Sequence, residues 1–193
     1  MFADMQFVEP YNPGWKNAFE QLNNFLLESL QGFSGQITIE HVGSTSVPGM
    51  VSKPILDIDL ILADQKHLPG MITVLQSLGY DYRGDQGIPG RFAFRQRSAE
   101  VPLAMPAQTW HKHHLYICYD DSPALKNHLV FRELLRQDKL LAAAYAALKN
   151  SLSVDPGMTR EKYTILKTEF IISALDGAGF NAQELDEIRK LNS

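Results

Sequence analysis

Residues 54–62 constrain the fold of this sequence more than any other segment. The acidic residues Asp57 and Asp59 alternate there with apolar residues, namely Leu56, Ile58, Leu60 and Leu62. Because side chains alternate between the two faces of a β-strand, the pattern predicts one apolar face and one face with two carboxylates. Neighbouring carboxylates in apolar surroundings repel each other and lose hydration, so they require a compensating cation. Oxygen ligands of this kind favour magnesium.

A glycine-serine turn precedes the acidic strand. Residues 37–42 predict a shorter strand that breaks at Gly43 and Ser44, and the chain turns again at residues 47–49. Glycine lets a backbone approach a ligand closely. The backbone amides of such a turn and the hydroxyls of Ser44 and Thr45 can bind phosphate oxygens. The alternative is an ordinary turn that Ser44 caps. Together with the two neighbouring acids, the turn favours a site for metal and phosphate.

These segments carry a resemblance to a known family. The run EHVGSTSVPGMVSKPILDI at residues 40–58 resembles the signature of the GrpB family. Shorter matches follow in the family's order over residues 8–175, namely Val8 to Pro13 with Trp15 and Phe19, Leu78 to Tyr80, His113 to Leu115, Phe131 to Arg136, Tyr145 with Lys149, and Tyr163 with Lys167. The resemblance implies a nucleotidyltransferase-like fold, in which a glycine-serine pair positions a triphosphate. It also implies that Asp57 and Asp59 are catalytic and hold the metal.

A histidine and several basic residues extend the candidate site. His114 and Tyr116 share one face of a strand predicted at residues 114–119, so both side chains can point toward the aspartates. The pKa of a histidine lies close to neutral pH, which suits His114 as a general base or a phosphate partner. The family has a second histidine where this chain has Tyr116. The basic residues expected to face the cleft and bind phosphate are Lys53, Arg91, Arg132 and Lys167.

Two further features bear on the chemistry. Nucleotidyltransferases that transfer a nucleotide usually add a third acid from a later strand. No candidate for it lies in a clearly alternating strand, and the candidates by position are Asp81, Asp85 and Glu100. A metal hydrolase built on histidines is a separate possibility. It requires His111 or His113 to face Asp57, which strand alternation disfavours for His113.

The order of predicted elements places the chain in the α+β class. The elements are a helix from Asn12, strands at 37–42 and 54–62, a helix at 67–78, strands near 80–82, 91–96 and 114–119, and three or four helices after 122. Strands cluster early and helices late, which differs from alternating βαβ units. Residues 98–110 have no clear period and predict irregular structure. We therefore expect one domain over residues 1–193, with a mixed sheet, flanking helices and a helical C-terminal region.

Composition and charge narrow the functional classes. The chain has 193 residues, of which 45% are hydrophobic and 21% charged, a composition typical of globular proteins. Its net charge of −4 argues against broad nucleic-acid binding, although one local basic pocket suffices for a small nucleotide. No apolar run approaches the roughly 20 residues of a membrane span, and the acids in residues 1–10 argue against a secretory signal. The lone cysteine, Cys118, is expected to be a buried small residue, and these features predict a cytoplasmic protein.

The sequence thus predicts a Mg²⁺-dependent nucleotidyltransferase that acts on a small molecule or another acceptor with a hydroxyl or phosphate. The alternative is a non-catalytic regulatory module that binds a nucleotide or a phosphorylated metabolite. Family members are also found fused to a coenzyme A biosynthesis kinase, so the resemblance implies a coenzyme A-related ligand as one candidate partner. A third acid near the metal position favours the enzyme, and its absence favours the binding module. The sequence leaves the oligomeric state and the preferred base open.

Overall fold

The structure is a computed structural model that describes residues 8–191. Residues 1–7, which carry part of the argument against a secretory signal, lie outside this range. The predicted domain also includes residues 192–193, which lie outside it as well. Within the described range, no helix combines the length and the apolar character that crossing a membrane requires.

Five β-strands of the described chain form one mixed sheet. They are β1 (Ile37–Val42), β2 (Leu56–Leu62), β3 (Asp81–Tyr82), β4 (Arg91–Arg95) and β5 (His113–Tyr119). Their spatial order is β1-β2-β5-β4-β3, with β2 and β5 parallel and the other neighbours antiparallel. The acidic strand β2 therefore has a partner on each side. The mixed sheet and the helices around it confirm the predicted α+β class.

The helices of the described chain lie mostly after the last strand. They are α1 (Gly14–Ser29), α2 (Leu68–Ser77), α3 (Pro123–Gln137), α4 (Lys139–Val154), α5 (Arg160–Gly177) and α6 (Ala182–Leu191). Helix α1 begins close to the predicted position, where Asn12 Oδ1 accepts a hydrogen bond of 2.8 Å from the Gly14 N–H. The Asp138 carboxylate accepts hydrogen bonds from the first turn of α4 and separates that helix from α3. Helices α3 to α6 form the helical C-terminal region that the sequence predicted.

One face of β2 forms the centre of the main hydrophobic core. The alternating apolar residues of the strand are fully buried, and they are Leu56, Ile58, Leu60 and Leu62. They pack against buried side chains of α1, of its C-cap residue and of α2, namely Trp15, Leu22, Leu26, Leu30, Met71 and Leu75. Burial of a large apolar side chain contributes about 1.5–3 kcal/mol, so this layer is a main source of stability. The core therefore fixes the orientation of β2 and directs its acids to the opposite face.

The opposite face of the sheet is covered by the C-terminal helices. A cluster of Val47, Met50, Leu135 and Tyr145 joins the turn after β1 to α3 and α4. A second cluster joins α5 and α6 to α3 through Leu175, Phe180 and Ile188, against which Phe131 packs. Cys118 on this face of β5 is fully buried, as predicted, and burial raises the pKa of its thiol. The helices meet the sheet across a layer of polar residues, and cavities remain there.

The segment between β4 and β5 has no helix or strand, as its sequence pattern predicted. Trp110 is nonetheless buried, and its Nε1 donates a hydrogen bond of 2.6 Å to the carbonyl of Pro102. The Trp110 ring also packs on Phe25 of α1, with 4.9 Å between ring centroids. This irregular segment therefore closes part of the main core on the side away from the acids.

The two-faced packing of β2 leads to a stability prediction. Leu60→Ala truncates a fully buried side chain and is expected to lower the free energy of unfolding by about 2–5 kcal/mol. The loss arises because the surrounding core relaxes only partly into the cavity that the substitution leaves. Leu140→Ala is the matched control, since Leu140 is 84% exposed and the same change there is expected to cost less than about 0.5 kcal/mol. Urea denaturation followed by circular dichroism measures both. Equal losses would contradict the assignment of this face to the core.

Candidate active site

Asp57 and Asp59 lie on the same face of β2, and each carboxylate is held by a histidine. His114 Nδ1 donates to Asp57 Oδ1 at 2.9 Å, and His128 Nδ1 donates to Asp59 Oδ2 at 2.8 Å. The Asp59 side chain is fully buried, whereas 35% of the Asp57 side chain is exposed. Asp59 Oδ1 is buried and has no hydrogen-bond partner in the described protein. An acceptor oxygen left in this state is costly unless a ligand or cation binds it.

The two acids fit a Mg²⁺ ion that shares its ligands with a phosphate. No group of three or more His, Cys, Asp and Glu side chains within residues 8–191 is arranged to hold a metal ion. Mg²⁺ nevertheless commonly binds through one or two carboxylates and completes its shell with waters and substrate phosphates. Asp57 and the unpartnered Oδ1 of Asp59 supply ligands of that kind. The donor set therefore suits a metal that arrives with a phosphorylated ligand.

His128 is a site residue that the sequence reasoning missed. Burial alone lowers the pKa of His128, but the charge of Asp59 and the hydrogen bond between them raise it, and the net shift is upward. The contact with Asp59 therefore favours the protonated form of the His128 ring. A signal was present in the sequence, because His128 precedes Arg132 by one helical turn and shares its face of α3.

Gly43 permits the turn after β1 to lie directly against Asp57. Its backbone has φ +69°, a conformation that favours glycine. A Cβ atom at this position would approach the Cβ and Cγ atoms of Asp57 to 3.0 Å and its Oδ2 atom more closely still. The glycine of the predicted turn is thus required by close contact with the acid as well as by the backbone conformation.

The hydroxyls of the turn have different surroundings. Ser44 lies at the junction of two cavities, and its Oγ accepts a hydrogen bond of 2.9 Å from Lys149 Nζ. Thr45 is buried, and its Oγ1 lies 3.0 Å from His41 Nε2. Burial lowers the pKa of His41 to about 4, so the ring is neutral and supports the turn through this hydrogen bond. Both residues line one of these two cavities, and Ser44 lines the other as well.

Lys149 is a second site residue that the sequence did not single out. Only 2% of the residue is exposed, and its Nζ also donates to the carbonyl of Val51. Burial, with a smaller contribution from Lys167, lowers the pKa of Lys149 to about 7. The amine consequently has a substantial neutral fraction at neutral pH, and it links α4 to both ends of the turn-bearing segment.

A basic cavity of about 230 Å³ opens on one side of Asp57. The residues that line it are Ser44, Thr45, Lys53, Ile55, Asp57, His114, Lys149, Tyr163, Thr164 and Lys167. Burial lowers the pKa of Lys167, while the charge of Asp57 opposes that effect. Three lysines, a serine and a histidine around one small space make a local positive potential in a chain whose net charge is −4.

An apolar cavity of about 390 Å³ lies on the other side of Asp57. Its apolar wall comes from the loop before β4, from α3, α5 and α6, and from the connection between the last two helices. The residues are Pro89, Phe131, Leu135, Ile171, Phe180 and Ile188. Ser44, Asp57 and Lys167 line both cavities, so the acid stands where the basic and apolar spaces adjoin.

The remaining predicted basic residues, Arg91 and Arg132, both line the apolar cavity but differ in the partners of their guanidinium groups. The Arg91 guanidinium carbon is 4.6 Å from the centroid of the Tyr116 ring, and both residues line the apolar cavity. Arg132 also lines it, but its Nη1 donates to Glu40 at 2.6 Å and its Nε donates to Glu133 at 2.8 Å. Two carboxylates therefore compensate the charge of Arg132, while Arg91 offers a flat cationic surface.

The candidates for a third acid do not converge on Asp57. Asp81 forms an ion pair with Arg97 at the far edge of the sheet, and the Asp85 carboxylate accepts from the Gly87 N–H in a turn. Neither these two nor Glu100 lines the basic or the apolar cavity. On β5 the positions opposite Asp57 and Asp59 are instead held by a histidine and a tyrosine, namely His114 and Tyr116.

The histidine-based metal hydrolase is not supported by the placement of His113. Its side chain lies on the core face of β5, where Nε2 is 2.6 Å from the Tyr80 hydroxyl. Burial lowers the pKa of His113 to about 4, so the ring is neutral. His111 also lines neither of the cavities that adjoin Asp57. His114 alone among these three histidines reaches an acid of β2.

Comparison with solved structures establishes the class of fold. A mutant of the Cid1 poly(U) polymerase, solved with MgATP bound, matches with a TM-score of 0.59 at 10% sequence identity, over 87% of this chain and 51% of that chain. The fold is therefore nucleotidyltransferase-like, as the sequence predicted.

The family model described as GrpB protein matches residues 6–176, and the chain belongs to the GrpB family. The crystal structure of the conserved protein GrpB from Enterococcus faecalis matches with a TM-score of 0.70 at 27% identity, over 89% of this chain and 98% of that chain. The UPF0157 protein YqkA of Bacillus subtilis (strain 168) is 29% identical over 87% of this chain. That alignment covers 46% of YqkA, so the chain spans less than half of this relative's length.

The contact between Gly43 and Asp57 leads to a testable coupling. Gly43→Ala is expected to lower the free energy of unfolding by about 1–3 kcal/mol, from the strained φ and the collision with the carboxylate. Asp57→Ala in the same chain removes the collision with the carboxylate and leaves the 3.0 Å approach of the two Cβ atoms, so the double variant should recover part of that loss, about 0.5–1 kcal/mol. Urea denaturation of all four proteins measures the coupling. Additive effects would show that the two residues do not touch.

The buried amine of Lys149 predicts a specific pH dependence of stability. With a folded pKa near 7 and an ordinary value of 10.5, Lys149 binds fewer protons in the folded than in the unfolded chain between those values. Its contribution to the free energy of unfolding therefore rises with pH across that interval. Lys149→Met should flatten the rise, whereas Lys139→Met, at an exposed position, should not. Urea denaturation at about pH 7, 8 and 9 compares the slopes, and equal slopes in all three proteins would refute the assignment.

Proposed function

We propose that this protein binds a nucleoside triphosphate with Mg²⁺ and transfers a nucleotidyl group to a hydroxyl or phosphate of an acceptor. The observation that carries the proposal is the buried Asp59 carboxylate, whose Oδ1 has no protein partner, beside Asp57 at the junction of the basic and apolar cavities. The nucleotidyltransferase-like fold supports the same conclusion, and the solved Cid1 structure of this fold contains MgATP.

Asp57 and Asp59 are the residues that would hold the metal. When bound, Mg²⁺ would neutralise phosphate charge and polarise the phosphoryl group under attack. Asp59 would contribute the oxygen that has no protein partner, and Asp57 would contribute Oδ2, since its Oδ1 accepts from His114. The buried position of Asp59 strengthens its attraction for a cation, because little water competes for it.

The basic cavity is suited to the phosphates of the nucleotide. Lys53, Lys149 and Lys167 line it, and lysine ammonium groups act as point charges toward phosphate oxygens. Lys149 also holds the Ser44 hydroxyl, so phosphate binding and the geometry of the turn are connected through one side chain. The approach of a negative phosphate would raise the pKa of Lys149 and Lys167 and favour their charged forms.

The apolar cavity is suited to the nucleoside or to the acceptor. The Arg91 guanidinium carbon lies over the Tyr116 ring at its sheet side, 4.6 Å from the ring centroid, and a planar group could stack on this pair. Aromatic side chains of Phe131 and Phe180 line the helical side. Because the two cavities adjoin at Asp57, a ligand with phosphates at one end and an apolar group at the other would pass the acids at its reacting bonds.

His114 would accept a proton from the acceptor. Its Nδ1 donates to Asp57 Oδ1, which leaves Nε2 with a lone pair, and half of its side chain is exposed in the basic cavity. An imidazole in this tautomer can take the proton of an attacking hydroxyl and return it to solvent. His114 would thus perform on β5 the task for which the sequence suggested a third acid.

A non-catalytic nucleotide-binding module is the second candidate, and one observation favours it. Among residues 8–191, none of the predicted third acids lines the site, and the opposite positions on β5 are His114 and Tyr116. Such a module would use the same two cavities to bind a phosphorylated ligand without transfer. The family resemblance implied a coenzyme A-related molecule, and we keep it as a proposed ligand for either candidate. Such a molecule joins phosphates to an apolar arm, which matches the basic and apolar cavities.

Isothermal titration with ATP and UTP, with and without Mg²⁺, tests the binding part of the proposal. The wild-type chain is expected to bind at least one of them more tightly with Mg²⁺. Asp57→Ala should weaken nucleotide affinity in the presence of Mg²⁺ by roughly 10-fold or more. The variant should remain folded, because removing one acid relieves repulsion. Asp121→Ala is the control, since Asp121 is an exposed acid outside both cavities. No Mg²⁺-dependent gain in the wild type would contradict a transferase that uses either nucleotide.

Release of pyrophosphate separates the two candidates. A transferase is expected to release pyrophosphate when nucleotide and an acceptor panel of sugars, phosphosugars and phosphopantetheine compounds are present. His114→Ala should slow that release by about 10²–10⁴-fold, and it should also weaken Mg²⁺-dependent nucleotide binding by about 10-fold or more, because His114 holds Asp57. Tight Mg²⁺-dependent binding without any release across the panel would favour the binding module.

A further inference from the structure

The two acids of β2 are held by histidines in unlike environments. His114 contacts Asp57 from the neighbouring strand, and its side chain is 50% exposed. His128 contacts Asp59 from helix α3, and its side chain is 25% exposed against a carboxylate with no exposure at all. Both contacts use Nδ1, so in each pair one oxygen of the carboxylate is fixed while the other is left for a different partner.

The Asp59 carboxylate would lack a defined orientation without His128. Of its two oxygens, Oδ2 accepts the 2.8 Å hydrogen bond from His128, and Oδ1 is buried without a hydrogen-bond partner. Terminal torsions of aspartate have broad minima, so packing alone does not select which oxygen points where. The Cys118 thiol is a neighbour of the same carboxylate but a weak donor, so the hydrogen bond from His128 is the stronger interaction that distinguishes Oδ2 from Oδ1.

Helix α3 is itself fixed well enough to serve as a support. The Ser122 hydroxyl accepts from the Leu125 N–H at the start of the helix, and Leu125 and Leu135 are buried on its inner face. The His128 ring lies 6.4 Å from the ring of Tyr116, which in turn lies under the Arg91 guanidinium. His128 thus approaches Asp59 from a supported helix and between aromatic and cationic neighbours.

We propose that His128 is a positioning residue that clamps Oδ2 of Asp59 through its Nδ1–H and thereby presents Oδ1 to a divalent cation. The proposal rests on the proposed function, because it assigns a role in the same site. It goes further in predicting that one atom of His128, rather than the presence of a polar side chain on α3, determines the affinity of the site for the metal.

Asparagine and glutamine distinguish the two ring nitrogens of histidine. The amide nitrogen of asparagine is attached at Cγ, as Nδ1 is, whereas that of glutamine is one atom further out and lies nearer the place of Nε2. His128→Asn can therefore keep the hydrogen bond to Asp59, His128→Gln keeps an amide without the matching atom, and His128→Leu removes the donor. His67→Leu, in the turn before α2 and outside both cavities, is the matched control for loss of a histidine.

The probes are Mn²⁺ alone, followed by electron paramagnetic resonance, and MgATP, followed by isothermal titration. We expect His128→Leu and His128→Gln to weaken metal affinity by about 10–100-fold, as outer-shell partners of metal ligands commonly do. His128→Asn should stay within about threefold of the wild type, and His67→Leu should be unchanged. Thermal melting identifies any variant that does not fold, and the comparison of Asn with Gln remains decisive if the Leu variant is lost.

The failure of this proposal differs from the failure of the proposed function. If the wild type binds Mn²⁺ and MgATP but all three His128 variants bind equally well, or Asn and Gln are equally impaired, the positioning role is wrong while metal-nucleotide binding stands. If the wild type binds neither probe, both the proposed function and the positioning role of His128 are wrong. Selective retention of affinity by His128→Asn supports the positioning role, because a merely structural residue would not distinguish the two amides.

Discussion

The structure depends on how two like charges are accommodated next to one hydrophobic core. Strand β2 places four fully buried apolar side chains on one face. Because side chains alternate along a strand, Asp57 and Asp59 lie on the other face. A one-residue shift in register would exchange the faces, so core packing and the placement of the acids are a single constraint. The rest of the site then serves to compensate negative charge, with His114 and His128 in direct contact and three lysines around the adjoining cavity.

Within the described protein, the negative charge of the two acids is only partly compensated, and the functional proposal is based on this observation. One oxygen of the buried Asp59 has no partner, and the adjoining spaces differ in character, with lysines in the basic cavity and aromatic and aliphatic side chains in the apolar one. Buried polar groups are normally satisfied, and this exception lies on the same strand face as Asp57, which lines both cavities. The nucleotidyltransferase-like fold and membership of the GrpB family agree with a phosphorylated ligand without identifying it.

Local patterns allowed much of the fold to be predicted. The alternation in β2, the helix start at Asn12 and the late run of helices depend on neighbours within a few residues, and each was readable from the sequence. The third acid could not be placed in the same way. Asp81 and Asp85 are close to strands in sequence, but the order β1-β2-β5-β4-β3 carries them to the far edge of the sheet. Position along the chain therefore says little about distance across a sheet with crossovers.

By itself the sequence determined which residues of β2 are acidic, which face they share, and that a glycine turn lies before them, because periods of two and turn chemistry are local properties. Only the tertiary structure decided what surrounds them. His128 reaches Asp59 across 69 positions and Lys149 reaches Ser44 across 105, and no local rule couples residues at such separations. The packing of α3 and α4 against the sheet brings those partners to the acids, since burying the apolar faces of the helices fixes where their polar side chains point.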